Sequence, residues 1–199
     1  MAPARLFADR IAVLGTEEAF ALGALIAEVE AGGERVIRAN LGQPDFPLPT
    51  HIADAVVEAI RAGLTTYCDP QGIPEVRAAI AAKVGADRGL EVDPEPIVVF
   101  AGGRPPIGLA QHAYLEPGDE VIYPSPGYPL FESFIRYVGG VPVPLRLREA
   151  SGFNFTGADL ADLITPRTKL IFVNFPSNPT GGVATAEQHQ GKELSYNNI

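Results

Sequence analysis

The hydrophobic positions follow two rhythms, which change near residue 96. In the first stretch Leu22, Leu25, Ile26 and Val29 share one face of a helix. Thr16 opens it with a hydroxyl that caps unpaired amides, Glu17 and Glu18 suit the positive end of its dipole, and Gly32 and Gly33 end it. A second helix is predicted over residues 50–62, with Ile52, Val56 and Ile60 four apart and Gly63 just beyond. A third starts at Pro74, where a missing amide hydrogen costs nothing, and is expected to bury Val76, Ile80 and Val84.

From Pro96 onward short apolar runs alternate with helical segments, the pattern of a parallel sheet covered by helices, so the fold class is α/β. The predicted strands are 97–101, 120–123, 141–147 and 169–175. Helices are predicted over 105–115, 130–138 and 158–164, the last opened by a capping box of Thr156 and Asp159. If the strands are parallel, the loops leaving their carboxyl ends share one edge, where ligands of open α/β sheets bind. Three loops meet that description: AGGRPP, PSPGYP and PSNPTGG.

Composition narrows the function classes. A net charge of -9 has the wrong sign for gripping a phosphate backbone or an anionic membrane, so neither nucleic acid nor membrane is an expected partner. No apolar run approaches the roughly 18 residues that cross a bilayer. Charged residues interrupt the N-terminal stretch as they would not in a signal peptide, and the lone Cys68 has no partner for a disulfide or a zinc site. A cytoplasmic protein without a metal is the expectation. His51, His112 and His189 are widely separated and read as ordinary helix or tail residues.

Each loop has a functional and a structural reading. Gly102 and Gly103 allow a tight turn into a helix whose first amides face an anion such as phosphate, or they serve the shape of the turn alone. Neither the three-glycine dinucleotide pattern nor the lysine-containing phosphate loop is present. Tyr128, among residues that pair poorly in a sheet, either offers a flat ring to a planar heterocycle or covers the sheet end. Ser125 lacks the glycine elbow of a hydrolase nucleophile. Asn178 both donates and accepts, which suits a ligand with a phenolate-like oxygen and a carboxylate, although Asn-Pro-Thr-Gly also forms a turn by itself. The coincidence of all three loops on one edge favours function.

The segments LGQPDFPLP, TTYCDPQGIPEVR, GGR, LEPGDEVIYPSPGYP and FVNFPSNPTGG stand in the order found in class I aminotransferases, the aspartate aminotransferase family of fold type I. The chain resembles the N-terminal half of that family from about Leu41 to Val183. The resemblance implies a partial large domain with a mainly parallel sheet, pyridoxal 5'-phosphate as cofactor, amino-group transfer between an amino acid and a 2-oxo acid, and a homodimer with shared active sites. Gly103 and Arg104 match the turn that holds the cofactor phosphate, and Tyr128 matches the aromatic stacked on the cofactor ring. Asn178 matches the asparagine that bonds the ring oxygen and the substrate carboxylate. Tyr67 resembles the tyrosine that reaches the neighbouring subunit's phosphate, and Gly42 the glycine beside the substrate carboxylate.

By the same resemblance, residues 1–46 form an arm and small-domain segment, 47–184 an incomplete cofactor domain, and 185–199 a polar tail expected to be disordered. Pro105 and Pro106 supply no hydroxyl where many relatives have a polar or small residue followed by alanine. Tyr128 stands where several aspartate-specific members have tryptophan, which weighs against aspartate as the donor. The Schiff-base lysine is missing: Lys83, Lys169 and Lys192 lack the family's setting for it. A truncated chain, inactive by itself and poorly soluble, is therefore expected. The alternatives are a non-catalytic form that binds phosphate ligands or pairs with a full-length subunit, and, among enzymes of this fold, a carbon-sulfur lyase or a decarboxylase.

Overall fold

The computed structural model describes residues 6–15 and 18–184. The predicted cap at Thr16 and Glu17 and the predicted tail at 185–199 lie outside the described residues. The helices are α1 (Glu18–Ala31), α2 (Thr50–Arg61), α3 (Pro74–Arg88), α4 (Arg104–Tyr114), α5 (Leu130–Tyr137) and α6 (Gly157–Ala161). The strands are β1 (Glu120–Ser125), β2 (Val141–Arg146) and β3 (Thr168–Ile171), and a short 3-10 turn spans Asp9–Val13. Arg38–Pro106 forms one compact unit, and the remaining described residues form another.

The second unit is built on a three-stranded sheet in the order β2-β1-β3, with β1 parallel to both neighbours. Alternation along β1 explains why it lies at the centre. Val121 and Tyr123 face a cluster with Leu115, Phe131 and Ile135, so one face is covered by α5 and the end of α4. Ile122 faces the opposite side, where Leu145, Leu147 and Phe155 join Leu160 of α6. A strand buried on both faces reads as a continuous apolar run, as β1 does. In β2 the amides of Val141 and the following Leu147 bond toward β1, to Asp119 and Ser125. Pro142 and Pro144 fall in the alternate register, so the residues without an amide hydrogen lie on the outer edge, where proline is tolerated.

α4 opposes α5 closely, because a side chain at Gly108 would sit 2.9 Å from the Phe134 ring. Thr156 caps α6 as expected: its hydroxyl accepts from the Asp159 amide at 3.2 Å, and Asp159 accepts from the Thr156 amide at 2.8 Å. The Asp159 carboxyl is held below the usual range by the Thr156 hydroxyl and amide.

At the amino end of β1 the buried Glu120 carboxylate accepts the Thr165 hydroxyl at 2.6 Å and pairs with Arg167. The Thr165 hydrogen bond first, and Arg167 with it, hold this carboxyl below its ordinary 4.5 against the opposing effect of burial. A carboxyl depressed in the folded state stabilises it above the unfolded value, and that contribution is lost as pH falls through the folded value. Glu120→Gln is therefore expected to flatten the dependence of the unfolding midpoint on pH below about 4.5, measured by denaturant titration across that range.

Two expectations fail in the Arg38–Pro106 unit. Residues 97–101 form no strand: the Val99 amide reaches the Gln71 carbonyl at 2.8 Å, and no ladder forms among the described residues. An extended segment becomes a strand only when a neighbour supplies the matching hydrogen bonds. The loop AGGRPP consequently does not leave a strand of the sheet. Val76, Ile80 and Val84 are exposed, and Ala81 is the buried residue of α3. Helical spacing identified an apolar face, but within this unit little lies against it. Elsewhere β3 ends at Ile171, short of the predicted 175, and β1 runs two residues longer than predicted.

Candidate active site

The carboxyl ends of β1 and β3 point to the same edge of the sheet, because the two strands are parallel neighbours. The first leads into PSPGYP and Tyr128, the second into FPSNPTGG and Asn178, so both residues sit on connections leaving the same sheet edge.

The first connection is a tight bend. A side chain added at Gly127 would come within 2.0 Å of the Pro124 carbonyl oxygen, so the chain passes over itself with no room for a Cβ. The bend carries a cis Ser125-Pro126 peptide. Tyr128 is half-buried, and its ring meets Phe131 edge-on with centroids 5.8 Å apart. Phe131 in turn stacks on Phe172, which follows β3, at 4.5 Å. A run of rings thus links the two connections beneath the edge.

The second connection is held from below. The Ser177 amide donates to the Gly182 carbonyl and the Gly181 amide to the Ser177 carbonyl, at 2.8 and 2.7 Å. Gly182 presses on the backbone of 152–153, since a Cβ there would lie 2.7 Å from the Phe153 carbonyl oxygen. Asn154 donates to the Val183 carbonyl at 3.0 Å. The peptides at Phe175-Pro176 and Asn178-Pro179 are cis. Asn178 is exposed, and its backbone N–H donates to Asn174 Oδ1 at 3.1 Å. The buried Ser177 hydroxyl has no hydrogen-bond partner among the described residues.

Gly42, Tyr67, Gly103 and Arg104 all belong to the Arg38–Pro106 unit. Gly102, at φ +98, turns the chain into α4, a conformation glycine adopts without strain. The next two residues, Gly103 and Arg104, bring backbone amide hydrogens to the helix start, whereas Pro105 and Pro106 have none. The segment carrying Tyr67 is shaped by Asp69, whose carboxylate accepts the Gln71 amide at 2.8 Å. Arg77 bonds the Pro94 and Glu95 carbonyls nearby. The Tyr67 side chain is fully exposed, at 106%.

The sequence reading missed one polar network beside Tyr128. The Tyr123 hydroxyl donates to Glu132 Oε2 at 2.7 Å, and Arg136 bonds Glu132 Oε1 at 2.8 Å. The Glu132 carboxyl is held below its usual range, first by the Tyr123 hydroxyl and then by Arg136. Burial, followed by the Glu132 contact, pushes the Tyr123 phenol well above its ordinary value. These groups, with Ser125, Gly127 and Tyr128, line a cavity of about 360 Å³. The spacing of Glu132 and Arg136 signalled their helical pair; nothing in the sequence signalled the phenol from β1. Among the described residues, no group of three or more His, Cys, Asp or Glu side chains gathers as a metal site would require, and no helix is long and apolar enough to cross a membrane.

This fold recurs in proteins of known class. Residues 34–191 match the family described as aminotransferase class I and II, and the chain belongs to that family. It is 39% identical over 181 residues to a probable aspartate/prephenate aminotransferase of Aquifex aeolicus, covering 91% of this chain and 46% of that protein. A probable aspartate aminotransferase of Streptomyces griseus is 40% identical over 179 residues, covering 90% of this chain and 84% of that one. Among solved structures, aspartate aminotransferase from Thermus thermophilus with maleate superposes with a TM-score of 0.86 at 36% identity, over 92% of this chain and 48% of that chain. Alanine aminotransferase from Pyrococcus furiosus superposes with a TM-score of 0.85 at 33% identity, over 91% and 47%. The chain thus spans about half the length of the Aquifex and Thermus proteins.

Proposed function

We propose that this chain contributes the cofactor-facing edge of a pyridoxal 5'-phosphate aminotransferase that moves an amino group between an amino acid and a 2-oxo acid. The observation that carries the reading is the pairing of a half-buried ring, Tyr128, and an exposed amide, Asn178, on neighbouring parallel connections. In kind these groups fit a flat heterocycle with an ionised oxygen: a ring to stack on and a neutral donor. When bound, the cofactor supplies an electron-withdrawing ring that stabilises negative charge beside the substrate nitrogen.

In this reading Tyr128 fixes the plane of the ring, and the Asn178 side chain donates to the ring oxygen and to the substrate carboxylate. The amides of Gly103 and Arg104 take the phosphate at the start of α4, a position where the helix dipole favours an anion. Gly42 lies along the substrate carboxylate, and Tyr67 reaches the phosphate of a second subunit in a homodimer. The exposure of Tyr67 suits that reach. The relatives are named as aspartate or aspartate/prephenate aminotransferases, which favours aspartate as the amino donor although Tyr128 stands where several aspartate-specific members have tryptophan. Lys83 is paired with Asp87 in an exposed helical ion pair.

The test joins residues 1–183 in frame to the C-terminal half of the Thermus thermophilus enzyme and assays amino transfer from aspartate to 2-oxoglutarate. Transfer is expected, with kcat/KM reduced about a hundredfold by Asn178→Ala. A folded fusion that binds the cofactor yet transfers nothing from aspartate, alanine or an aromatic amino acid overturns the reading.

A further inference from the structure

The bend that carries Tyr128 is closed at its base by a side-chain contact. Its two ends are β1, which contributes Tyr123, and the first turn of α5, which contributes Glu132. The Tyr123 hydroxyl donates to Glu132 Oε2 at 2.7 Å, directly across the base of residues 124–131. Tyr123 is buried, and it shares its apolar cluster with Phe131, Ile135 and the flank of Tyr128. On the other side, Arg136 takes Glu132 Oε1 through two nitrogens at 2.8 and 3.1 Å, leaving the carboxylate one orientation in which both oxygens are satisfied.

Resting on the reading of Tyr128 as the ring that stacks on the cofactor, we propose that Tyr123 and Glu132 are positioning residues: their hydrogen bond clamps the bend and sets the plane of the Tyr128 ring.

Three features make the clamp more than a fold contact. The bend has no slack, because Gly127 already passes the Pro124 carbonyl where no Cβ would fit. A displacement of the first turn of α5 relative to β1 is therefore passed on to Tyr128, two residues before that helix, and is not absorbed between them. Phe131, which meets Tyr128 edge-on, sits on that same turn immediately before Glu132. Finally, the contact is worth more than a surface pair. The Tyr123 ring is buried and its bond to Glu132 is part-buried, so loss of the acceptor is penalised more than loss of a fully exposed pair. The phenol's raised and the carboxyl's lowered titration agree with a neutral donor facing a charged acceptor.

The experiment measures the dissociation constant of pyridoxal 5'-phosphate itself on the full 199-residue chain by equilibrium dialysis, with far-UV circular dichroism as the control for folding. Tyr128→Ala is expected to weaken binding about tenfold through loss of stacking. Tyr123→Phe is expected to weaken it about fivefold, although its ring is retained and only the bond to Glu132 is lost. Glu132→Gln keeps a bond to the phenol, with its carbonyl taking Arg136 and its NH2 donating to the phenol oxygen, and retains near-parent affinity. The variant combining Tyr123→Phe with Tyr128→Ala binds no more weakly than Tyr128→Ala alone, because the clamp acts through the ring. Multiplying effects in the combined variant, or an unchanged constant for Tyr123→Phe, overturns the clamp while leaving the role of Tyr128 intact. If Tyr123→Phe unfolds the chain, Glu132→Ala removes the same bond from a partly exposed helical site and carries the same expectations. No loss on Tyr128→Ala, or no binding by the parent chain, overturns the functional reading and the clamp with it.

Discussion

Gly127→Ala is expected to destabilise the chain by about 3 kcal/mol and to displace Tyr128, the largest effect of any single methyl group in the sheet unit. The reason is contact alone. The added Cβ would stand 2.0 Å from the Pro124 carbonyl oxygen and 3.0 Å from its carbon, and both are backbone atoms that cannot swing aside as a side-chain tip can. The bend must open, which pulls Pro124 from the end of β1 or Tyr128 from its place against Phe131. Guanidinium denaturation followed by circular dichroism measures the loss of stability. Alanine at Gly103, where an added Cβ meets nothing within 4 Å, serves as the control and leaves the midpoint within about 0.5 kcal/mol.

Ile122→Ala is the second, with an expected loss of about 3 to 4 kcal/mol. Ile122 is 0% exposed at the centre of the middle strand, in a cluster with Leu145, Leu147, Phe155 and Leu160. Hydrogen bonds to β2 and β3 hold the backbone of β1 on both sides, so the sheet cannot collapse into the space left behind. Ile60→Ala supplies the contrast: the residue lies on α2 and is 59% exposed, so the expected change is a few tenths of a kcal/mol. Similar losses at both positions in a denaturant titration would contradict this account of the core.

These contrasts show what the sequence could and could not convey. Helices and strands from residue 104 onward were legible because their signals are local. The Thr156 and Asp159 box spans four residues, and the β1 run of Val121, Ile122 and Tyr123 announces a strand buried on both faces. The placement of Tyr128 and Asn178 on one edge followed from parallel pairing, which the alternation of elements implied. The failures are non-local. Residues 97–101 have the composition of a strand, but pairing depends on a neighbour that no local pattern can reveal. The α3 stripe marked a face without saying whether anything would cover it. The bond from Tyr123 to Glu132 joins a strand to a helix nine residues on, and only the geometry of the intervening bend brings them within reach.

The claim on which the functional account rests is that the Asn178 side chain donates to the ionised ring oxygen of a cofactor stacked on Tyr128. Absorbance titration of pyridoxal 5'-phosphate bound to the fused chain tests this directly, comparing the parent with Asn178→Ala. A donor to the charged form lowers the pKa of the ring oxygen, so its removal is predicted to raise the spectral pKa by about one unit. An identical titration curve in the two proteins would contradict the account.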